Sequence, residues 1–464
     1  MRPGLPDGPY LVVGLARSGV AAAKALCAKG ERVLGVDAGE LARDQVQALV
    51  DAGVEVHVND DGLALCPRVD AVVKSPGVPR QAPAIERALA EGKPVFGELE
   101  LGWRLLGNET IAVTGTNGKT TTVEWIGHIH RVAGRAVAVA GNVGQALTGL
   151  VGEVGPEATI VCEASSFQLE DALELAPEAA VLLNIAPDHL DRHGTMEAYE
   201  AAKLRIFANQ SAEDIAIVPA GLGLAIPGEA KRVRFGRDAA GVAGGIGDGE
   251  DGEMVARNGS LWWRAVEEPE KELVAIGELA LRGRHNVENA MAAAAVCLAR
   301  GMDREVVRAG LRTFKGVKHR LEEVARREGV VYVNDSKATN VASTLVALEA
   351  FAGDRVRLIL GGQGKGQDFG PLRDPVERGC AAVYLIGEDA PAIAAALAPS
   401  GGAGGTGTPV RECGDLERAL RAASGAAKPG EVVLLSPACA SFDQFRDFEA
   451  RGERFRELVV GLGR

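Results

Sequence analysis

Nothing in these 464 residues spells a membrane span, because no apolar run reaches 18 residues and a bilayer crossing takes about 20. The N-terminus also lacks a basic region followed by an apolar core, so no secretory signal is expected. The seven cysteines (27, 66, 162, 297, 380, 413 and 439) include no CxxC pair and no cluster with histidine. Zinc ligation and disulfides are thereby disfavoured, and the thiols read as buried ones in a reducing compartment. Positive charge is outweighed as well: 51 Lys and Arg against 63 Asp and Glu leave a net charge of −12. That balance argues against nucleic acid as a general partner, though not against an anionic substrate in a local basic pocket. A cytoplasmic protein without membrane insertion is the expectation. What is present is apolar mass, with 47% hydrophobic and 25% charged residues. The chain is therefore globular, and too long for one core, so two to four domains are expected.

The stretch Ile111-Ala-Val-Thr-Gly115-Thr116-Asn117-Gly118-Lys119-Thr120-Thr121 organises the rest. A short β-branched run reads as a buried strand, and Gly-Thr-Asn-Gly as a tight turn. The apolar residues Val123, Ile126, Ile129 and Ala133 then recur near helical period. Strand, glycine loop, Lys-Thr and helix is the arrangement that holds a triphosphate. Backbone N–H groups and the helix N-terminus face the anion, Lys119 adds a point charge, and a Thr hydroxyl can ligate Mg²⁺. The match is imperfect, because Val113 stands where the general phosphate-loop pattern wants glycine.

Before that stretch, residues 10–37 read as strand, turn (Gly14 to Gly19), Ala-rich helix and a strand ending in Asp37, a βαβ unit. Ala16 sits where a dinucleotide fingerprint has its second glycine, so another nucleotide is favoured over a nicotinamide. A further strand, 70–74, leads into the turn Ser75-Pro76-Gly77-Val78-Pro79, where Pro fixes φ and Gly permits a positive one. The pattern restarts near Gly97. Three domains are expected, over residues 1–97, 98–302 and 303–464, all α/β. The first and last are Rossmann-like and the central one is a phosphate-loop domain with a mainly parallel sheet. Central strands are expected at 136–140, 158–163, 179–184 and 215–218, with a helix from Asn286 to Arg300. C-terminal strands are expected at 330–334, 356–360, 382–386 and 431–435. The Gly-rich segment 236–253 reads as a hairpin excursion or mobile loop, and 400–408 as a low-complexity loop.

Three polar clusters end successive central strands: Gly141-Asn142-Val-Gly144, Cys162-Glu163-Ala-Ser165-Ser166-Phe-Gln168, and Asn184 through Asp188-His189-Leu-Asp191-Arg192-His193. Ligands of open parallel sheets sit at the carboxyl ends of the strands. Glu163 and His189 are therefore expected to converge on the triphosphate, where Mg²⁺ wants hard ligands.

Together with Gly283-Arg-His-Asn286, Asn289 and His319-Arg320-Leu-Glu322, the motifs Thr114–Thr121 and Asp188–Asp191 resemble the Mur ligase family. Its members are ATP-dependent and join an amino acid to a UDP-muramyl acceptor. Three further stretches, Ser75–Pro79, Asn334–Asn340 and Ser436–Phe445, look like the branch that adds D-glutamate to UDP-N-acetylmuramoyl-L-alanine. The resemblance implies a monomeric ligase that activates the acceptor carboxylate as an acyl phosphate in peptidoglycan precursor synthesis. It places the UDP-bearing substrate on Gly14, Leu15, Ala16, Arg17, Ser18, Gly19, Asp37, Ser75, Pro76, Gly77, Asn142, Ser165 and Gln168. ATP falls to Gly115 through Thr121, with Asn289, His319, Arg320 and Asp335. D-Glutamate falls to Lys337, Thr339, Lys365, Ser441, Phe442 and Phe448. Two Mg²⁺ ions are implied, on Thr120, Glu163, His189 and a carbamylated Lys203. Spacing alone reads Lys203 as a solvated helix lysine; it is the likeness of Ala201-Ala-Lys-Leu-Arg205 to the family segment that implies the carbamate. Gln363 stands where some relatives carry an acid and is given no role. A nucleotide-binding dehydrogenase using Gly14–Gly19, a regulatory ATPase, and a family member with another amino acid stay open as rivals.

Overall fold

The computed structural model describes residues 2–237, 251–266, 269–281, 283–398 and 407–462. The chain divides into two compact units, the first comprising Met1–Ala280 with His285–Phe314 and the second Leu281–Arg284 with Lys315–Arg464. The first unit holds two sheets. Strands β1 (Tyr10–Val13), β2 (Val33–Asp37), β3 (Glu55–Val58), β4 (Ala71–Lys74) and β5 (Val95–Gly97) form a parallel sheet in the order 3-2-1-4-5. Its two faces bury Val12, Leu26 and Phe96 on one side and Leu11, Leu34 and Ile85 on the other, the period-two alternation of a sheet covered on both faces.

The second sheet contains β6 (Thr110–Thr114), β7 (Val137–Gly141), β8 (Thr159–Glu163), β9 (Ala179–Leu182), β10 (Ile215–Pro219) and β11 (Lys231–Arg237). It continues into β12 (Gly252–Arg257), β13 (Ser260–Ala265) and β14 (Lys271–Ala275), in the order 14-13-12-11-10-9-6-8-7. β13 pairs antiparallel with both β12 and β14, and the other neighbouring pairs are parallel. All five residues of β6 are buried. The helix Lys119–Val132 turns Val123, Ile126 and Ile129 inward, each worth about 1.5–3 kcal/mol on full burial.

The helix Glu98–Leu105 directly follows β5. Leu101 and Leu105 belong to the N-terminal core, while Leu99 and Trp103 belong to the central core. The helix Arg304–Thr313 lies beyond the expected boundary at 302, yet it packs within the first unit. A Cβ on Gly310 would come 2.7 Å from the Ile129 side chain, and Phe314 stacks on Trp125 at 4.8 Å.

In the second unit, β15 (Glu322–Arg327), β16 (Val330–Asn334), β17 (Arg355–Gly361), β18 (Cys380–Ile386), β19 (Val410–Gly414) and β20 (Glu431–Leu435) run in the order 15-16-20-17-18-19. All neighbours are parallel except the edge strand β15. The α/β class and the mostly parallel sheets agree with expectation. The strands that flank the first Gly-rich segment, β11 and β12, pair in parallel. Residues 238–250 and 399–406, within the two Gly-rich segments, lie outside the described residues. Among the described residues no helix is long and apolar enough to cross a membrane.

Candidate active site

The phosphate loop sits where β6 gives way to its helix. Val113 is a buried strand residue, so the strand runs on to Thr114 and the missing glycine of the general pattern has no turn to serve. Gly118 adopts φ +86°, and a Cβ there would lie 2.2 Å from Asn289 Oδ1. Only glycine fits both the conformation and the space. The loop is tied to the segment after β9. Thr116 N donates to Asn184 O at 3.0 Å and Asn117 N to Asn184 Oδ1 at 2.9 Å, while Asn184 Nδ2 returns to Asn117 O at 3.1 Å. Thr116 Oγ1 also lies 3.0 Å from the Tyr199 hydroxyl.

Around this loop the structure gathers several of the expected residues. The Lys119 ammonium donates to the carbonyls of Gly115 and Thr116 at 2.8 and 2.9 Å. Thr120 Oγ1 donates to Glu163 Oε2 at 2.8 Å, and Asn142 Nδ2 to Glu163 Oε1 at 3.0 Å. Thr120, Thr121 and Glu163 are all buried. Lys203 reaches in from the helix Met196–Leu204, 1% exposed, and donates to Gly115 O at 2.8 Å. Its ammonium lies 4.6 Å from the centre of the Tyr199 ring. Burial first, and then the charge of Lys119, push its pKa down to about 7, against a smaller opposing pull from Asp188.

His189 is placed differently. It is an exposed residue at φ +52°, with its ring 4.8 Å from Phe167 and Nε2 3.5 Å from Asp188 Oδ2. Phe167 also carries the Arg192 guanidinium at 4.2 Å and the His193 ring at 5.3 Å. The side chain of Asp191 lies outside the described residues. Among the described residues no three His, Cys, Asp or Glu side chains cluster as a metal site. The hard donors gathered at the loop are a hydroxyl and a carboxylate.

In the N-terminal sheet the turn after β1 is built on two glycines. Gly14 has φ +85°, and a Cβ on Gly19 would fall 1.8 Å from Gly14 O. Asp37 Oδ2 accepts Leu15 N at 2.7 Å and Oδ1 accepts Gly39 N at 2.9 Å. Ser75 Oγ donates to Gly14 O at 2.6 Å, joining the two turns expected to hold the UDP moiety. Ala16, the N-cap, and Arg17, the first residue of the helix Arg17–Ala28, are exposed; Ser18 follows in the first turn, and Arg17 donates to Asn142 O at 3.3 Å. Pro76 and Gly77 form the outer part of the second turn. Ser165 and Gln168 cap the same short helix reciprocally, so their side chains are engaged with each other.

In the second unit, the loops after β16, β20 and β17 lie at adjacent carboxyl ends, because those strands are neighbours. They carry Asp335, Lys337 and Thr339; Ser441 and Phe442; and Lys365. Asp335 accepts Leu321 N at 3.2 Å and Ser436 Oγ at 2.8 Å. Burial pushes its pKa up to about 7, against the pull of Ser436 and Arg320. The Lys365 ammonium lies 5.2 Å from the Phe442 ring, and that of Lys337 5.8 Å from the Phe448 ring. His319, at φ +62°, packs against Gly452 and lies 3.0 Å from Asn334 Nδ2. Gln363 contributes its backbone, bridged to Ala440. The sequence reading missed Arg451, wholly buried, which donates to the carbonyls of Ser336 and Cys439 at 2.9 and 3.0 Å and so ties two of these loops together. It missed Tyr199 as well, whereas Asn184 was in the third of the strand-end clusters it named.

Comparison with known proteins adds the following. The model of the Mur ligase middle domain matches residues 113–297. That of the Mur ligase glutamate ligase domain matches 319–439, and that of the MurD-like N-terminal domain matches 9–97. A UDP-N-acetylmuramoylalanine--D-glutamate ligase of Anaeromyxobacter dehalogenans is 43% identical, over 100% of this chain and 99% of its own length. A protein of the same name from Acidobacterium capsulatum is 41% identical over 97% and 95%. Among solved structures, the MurF ligase of Thermotoga maritima in complex with ADP superposes with a TM-score of 0.57 at 18% identity, covering 93% of this chain and 95% of that one. At that identity the likeness speaks for the fold alone.

Proposed function

This chain belongs to the Mur ligase family, and we propose that it joins D-glutamate to UDP-N-acetylmuramoyl-L-alanine at the expense of ATP. The product would be a cytoplasmic peptidoglycan precursor. The observation that carries the reading is the full-length similarity to ligases of that name, read together with the Thr120–Glu163 pair under the phosphate loop.

The reaction needs activation because a carboxylate resists attack by an amine at neutral pH. Transfer of the γ-phosphoryl group of ATP to an oxygen of the acceptor carboxylate gives an acyl phosphate and releases ADP. The neutral D-glutamate amine then attacks the acyl carbon, the C–O bond to phosphate breaks, and the nitrogen loses a proton to solvent, leaving amide and inorganic phosphate. In that scheme the loop Gly115–Gly118 cradles the triphosphate, Lys119 and the hydroxyls of Thr120 and Thr121 face its outer phosphates, and Asn289, His319, Arg320 and Asp335 serve the nucleoside end. Lys119 holds a fixed cation where phosphoryl oxygens gain charge.

The residues at the loop suit Mg²⁺. Thr120 and Glu163 offer hard oxygens, and Asn142 fixes the second carboxylate oxygen. Mg²⁺, when bound, neutralises phosphoryl charge. We assign a second ion to His189 and to Lys203 as its carbamate. The amine of Lys203 attacks the carbon of CO₂, an N–C bond forms, and a proton leaves to solvent, turning a cation into an anionic oxygen donor. The UDP end of the acceptor is assigned to the turns Gly14–Gly19 and Ser75–Gly77 with Asp37, Asn142, Ser165 and Gln168. D-Glutamate is assigned to Lys337, Thr339, Lys365, Ser441, Phe442 and Phe448, and the enzyme is taken as a monomer.

The test is phosphate release from ATP with UDP-N-acetylmuramoyl-L-alanine and amino acids supplied one at a time. Release that requires both the acceptor and D-glutamate is expected. Release without an acceptor, or with another amino acid only, overturns the assignment.

A further inference from the structure

A buried ion pair with no role in the site described so far joins the N-terminal sheet to the central one. Lys74, the last residue of β4, is 0% exposed, and its ammonium lies 2.7 Å from Oδ2 of Asp171, itself 1% exposed. The same ammonium donates to the carbonyl of Val78 at 2.8 Å and so props the turn Ser75–Val78 from beneath. Asp171 lies just beyond the helix Ser166–Leu169 and is held in place by further contacts. Its carbonyl accepts Gly97 N at 3.0 Å, and Arg80 Nε stands 3.5 Å from Oδ1. From the other side Arg192, three residues after His189, donates to that same Val78 carbonyl at 3.2 Å while its guanidinium covers Phe167.

A buried ion pair is a weak device for stability, because desolvating two charges offsets most of their attraction. Nor is Lys74 available as an anion ligand, since Asp171 already neutralises it. What the arrangement does fix is geometry. One carbonyl at the base of the turn is held by a cation from β4 and by a cation from the segment that carries His189. The counter-ion of the first comes from the segment that carries Ser165 and Gln168.

We propose that Lys74 and Asp171 are positioning residues for the UDP-bearing acceptor. With Arg192 on the Val78 carbonyl, the pair locks the turn Ser75–Val78 onto the central domain. An acceptor gripped at its nucleotide end then presents its carboxylate in register with the phosphate loop. Loosening the turn removes grip on the nucleotide end, which is made in the ground state and the transition state alike, so the loss appears in KM for the acceptor. The inference rests on the acceptor assignment made above.

The test compares Lys74→Met, Asp171→Asn and the double variant Lys74→Met/Asp171→Leu in steady-state assays with all three substrates. Removing one partner strands a buried charge and can unfold the protein, whereas an apolar pair of similar volume is tolerated. The double variant therefore keeps the test decisive. We expect it to melt within a few degrees of the wild type, with KM for UDP-N-acetylmuramoyl-L-alanine raised at least tenfold. KM for ATP and for D-glutamate should stay within twofold. A folded double variant with an unchanged acceptor KM, or with all three KM values raised alike, overturns the proposal. Wild-type enzyme that fails to use this acceptor at all refutes the functional reading instead, so the two failures are distinguishable.

Discussion

Lys119 and Lys203 meet at a single atom: each ammonium donates to the carbonyl oxygen of Gly115 at 2.8 Å. Burial first, and then repulsion by the neighbouring Lys119, disfavour the charged form of Lys203. With its pKa near 7, Lys203 spends a substantial part of its time as a neutral amine at physiological pH. That is the form that reacts with CO₂.

The Lys203→Ala variant is expected to be nearly inactive, with ATP affinity retained and the dependence on a second metal ion lost. The wild type should gain the mass of one CO₂ under bicarbonate, more readily as pH rises through about 7. A fully active alanine variant would falsify the assignment. Stability gives an independent check in CO₂-free buffer. The folded pKa lies below the unfolded value of 10.5, so between about pH 7 and 10.5 the unfolded chain binds more protons. This lysine's contribution is least favourable below pH 7 and improves as pH rises through that window. Lys203→Met should lose that slope.

The fixed cation of the loop is the next target. Lys119→Ala should fold normally and lose on the order of 10² to 10³ in turnover at saturating ATP and Mg²⁺, as expected when one preorganised charge is removed. Near-normal turnover would sink the phosphate-loop reading.

Glu163 is the buried carboxylate that Thr120 and Asn142 both address. Glu163→Gln keeps its size and removes its charge. The Mg²⁺ concentration for half-maximal rate should rise on the order of 10- to 100-fold, measured by metal titration at fixed ATP. An unchanged midpoint would place the metal elsewhere.

Substrate choice probes the second unit. In the proposed amino-acid site, Lys365 and Thr339 would offer a cation and a hydroxyl for one carboxylate of glutamate, and Ser441 a donor for the other. Of these Ser441 is buried, Thr339 half-buried and Lys365 exposed, and a substrate that leaves donors unpaired is rejected by up to on the order of 10⁴ where they are desolvated in the complex. D-Glutamate should therefore be strongly preferred over D-glutamine and L-glutamate in kcat/KM. Equal rates with L-glutamate would refute these residues as the amino-acid site.

Residues whose roles are written in local chemistry were legible in the sequence. The apolar run into Gly-Thr-Asn-Gly-Lys-Thr marks its strand, loop and helix by itself, and the strand at 330–334 was placed to the residue. Edge strands such as β15 and β19 were not, because Glu322–Arg327 is largely charged and Val410–Gly414 largely exposed, and both lack an apolar signature. Lys74 and Arg451 also escaped. Nothing in the neighbouring residues tells a buried cation from a solvated one when its partners lie 97 residues downstream, as Asp171 does from Lys74, or belong to two separate loops. His189 was readable as a polar residue at a strand end, but its exposed, positive-φ setting beside Phe167 comes from packing.

The helix Glu98–Leu105 belongs to two cores at once, with Leu101 and Leu105 in one and Leu99 and Trp103 in the other. This limits how freely the family's parts can be exchanged. A chimera that takes its N-terminal sheet from a relative must cut the chain before this helix or after it. Either cut leaves one face meeting a foreign core. Only a donor whose residues at positions 99, 101, 103 and 105 match in volume would graft without a cavity or a clash. Any exchange of the N-terminal sheet in this chain has to accommodate those four side chains.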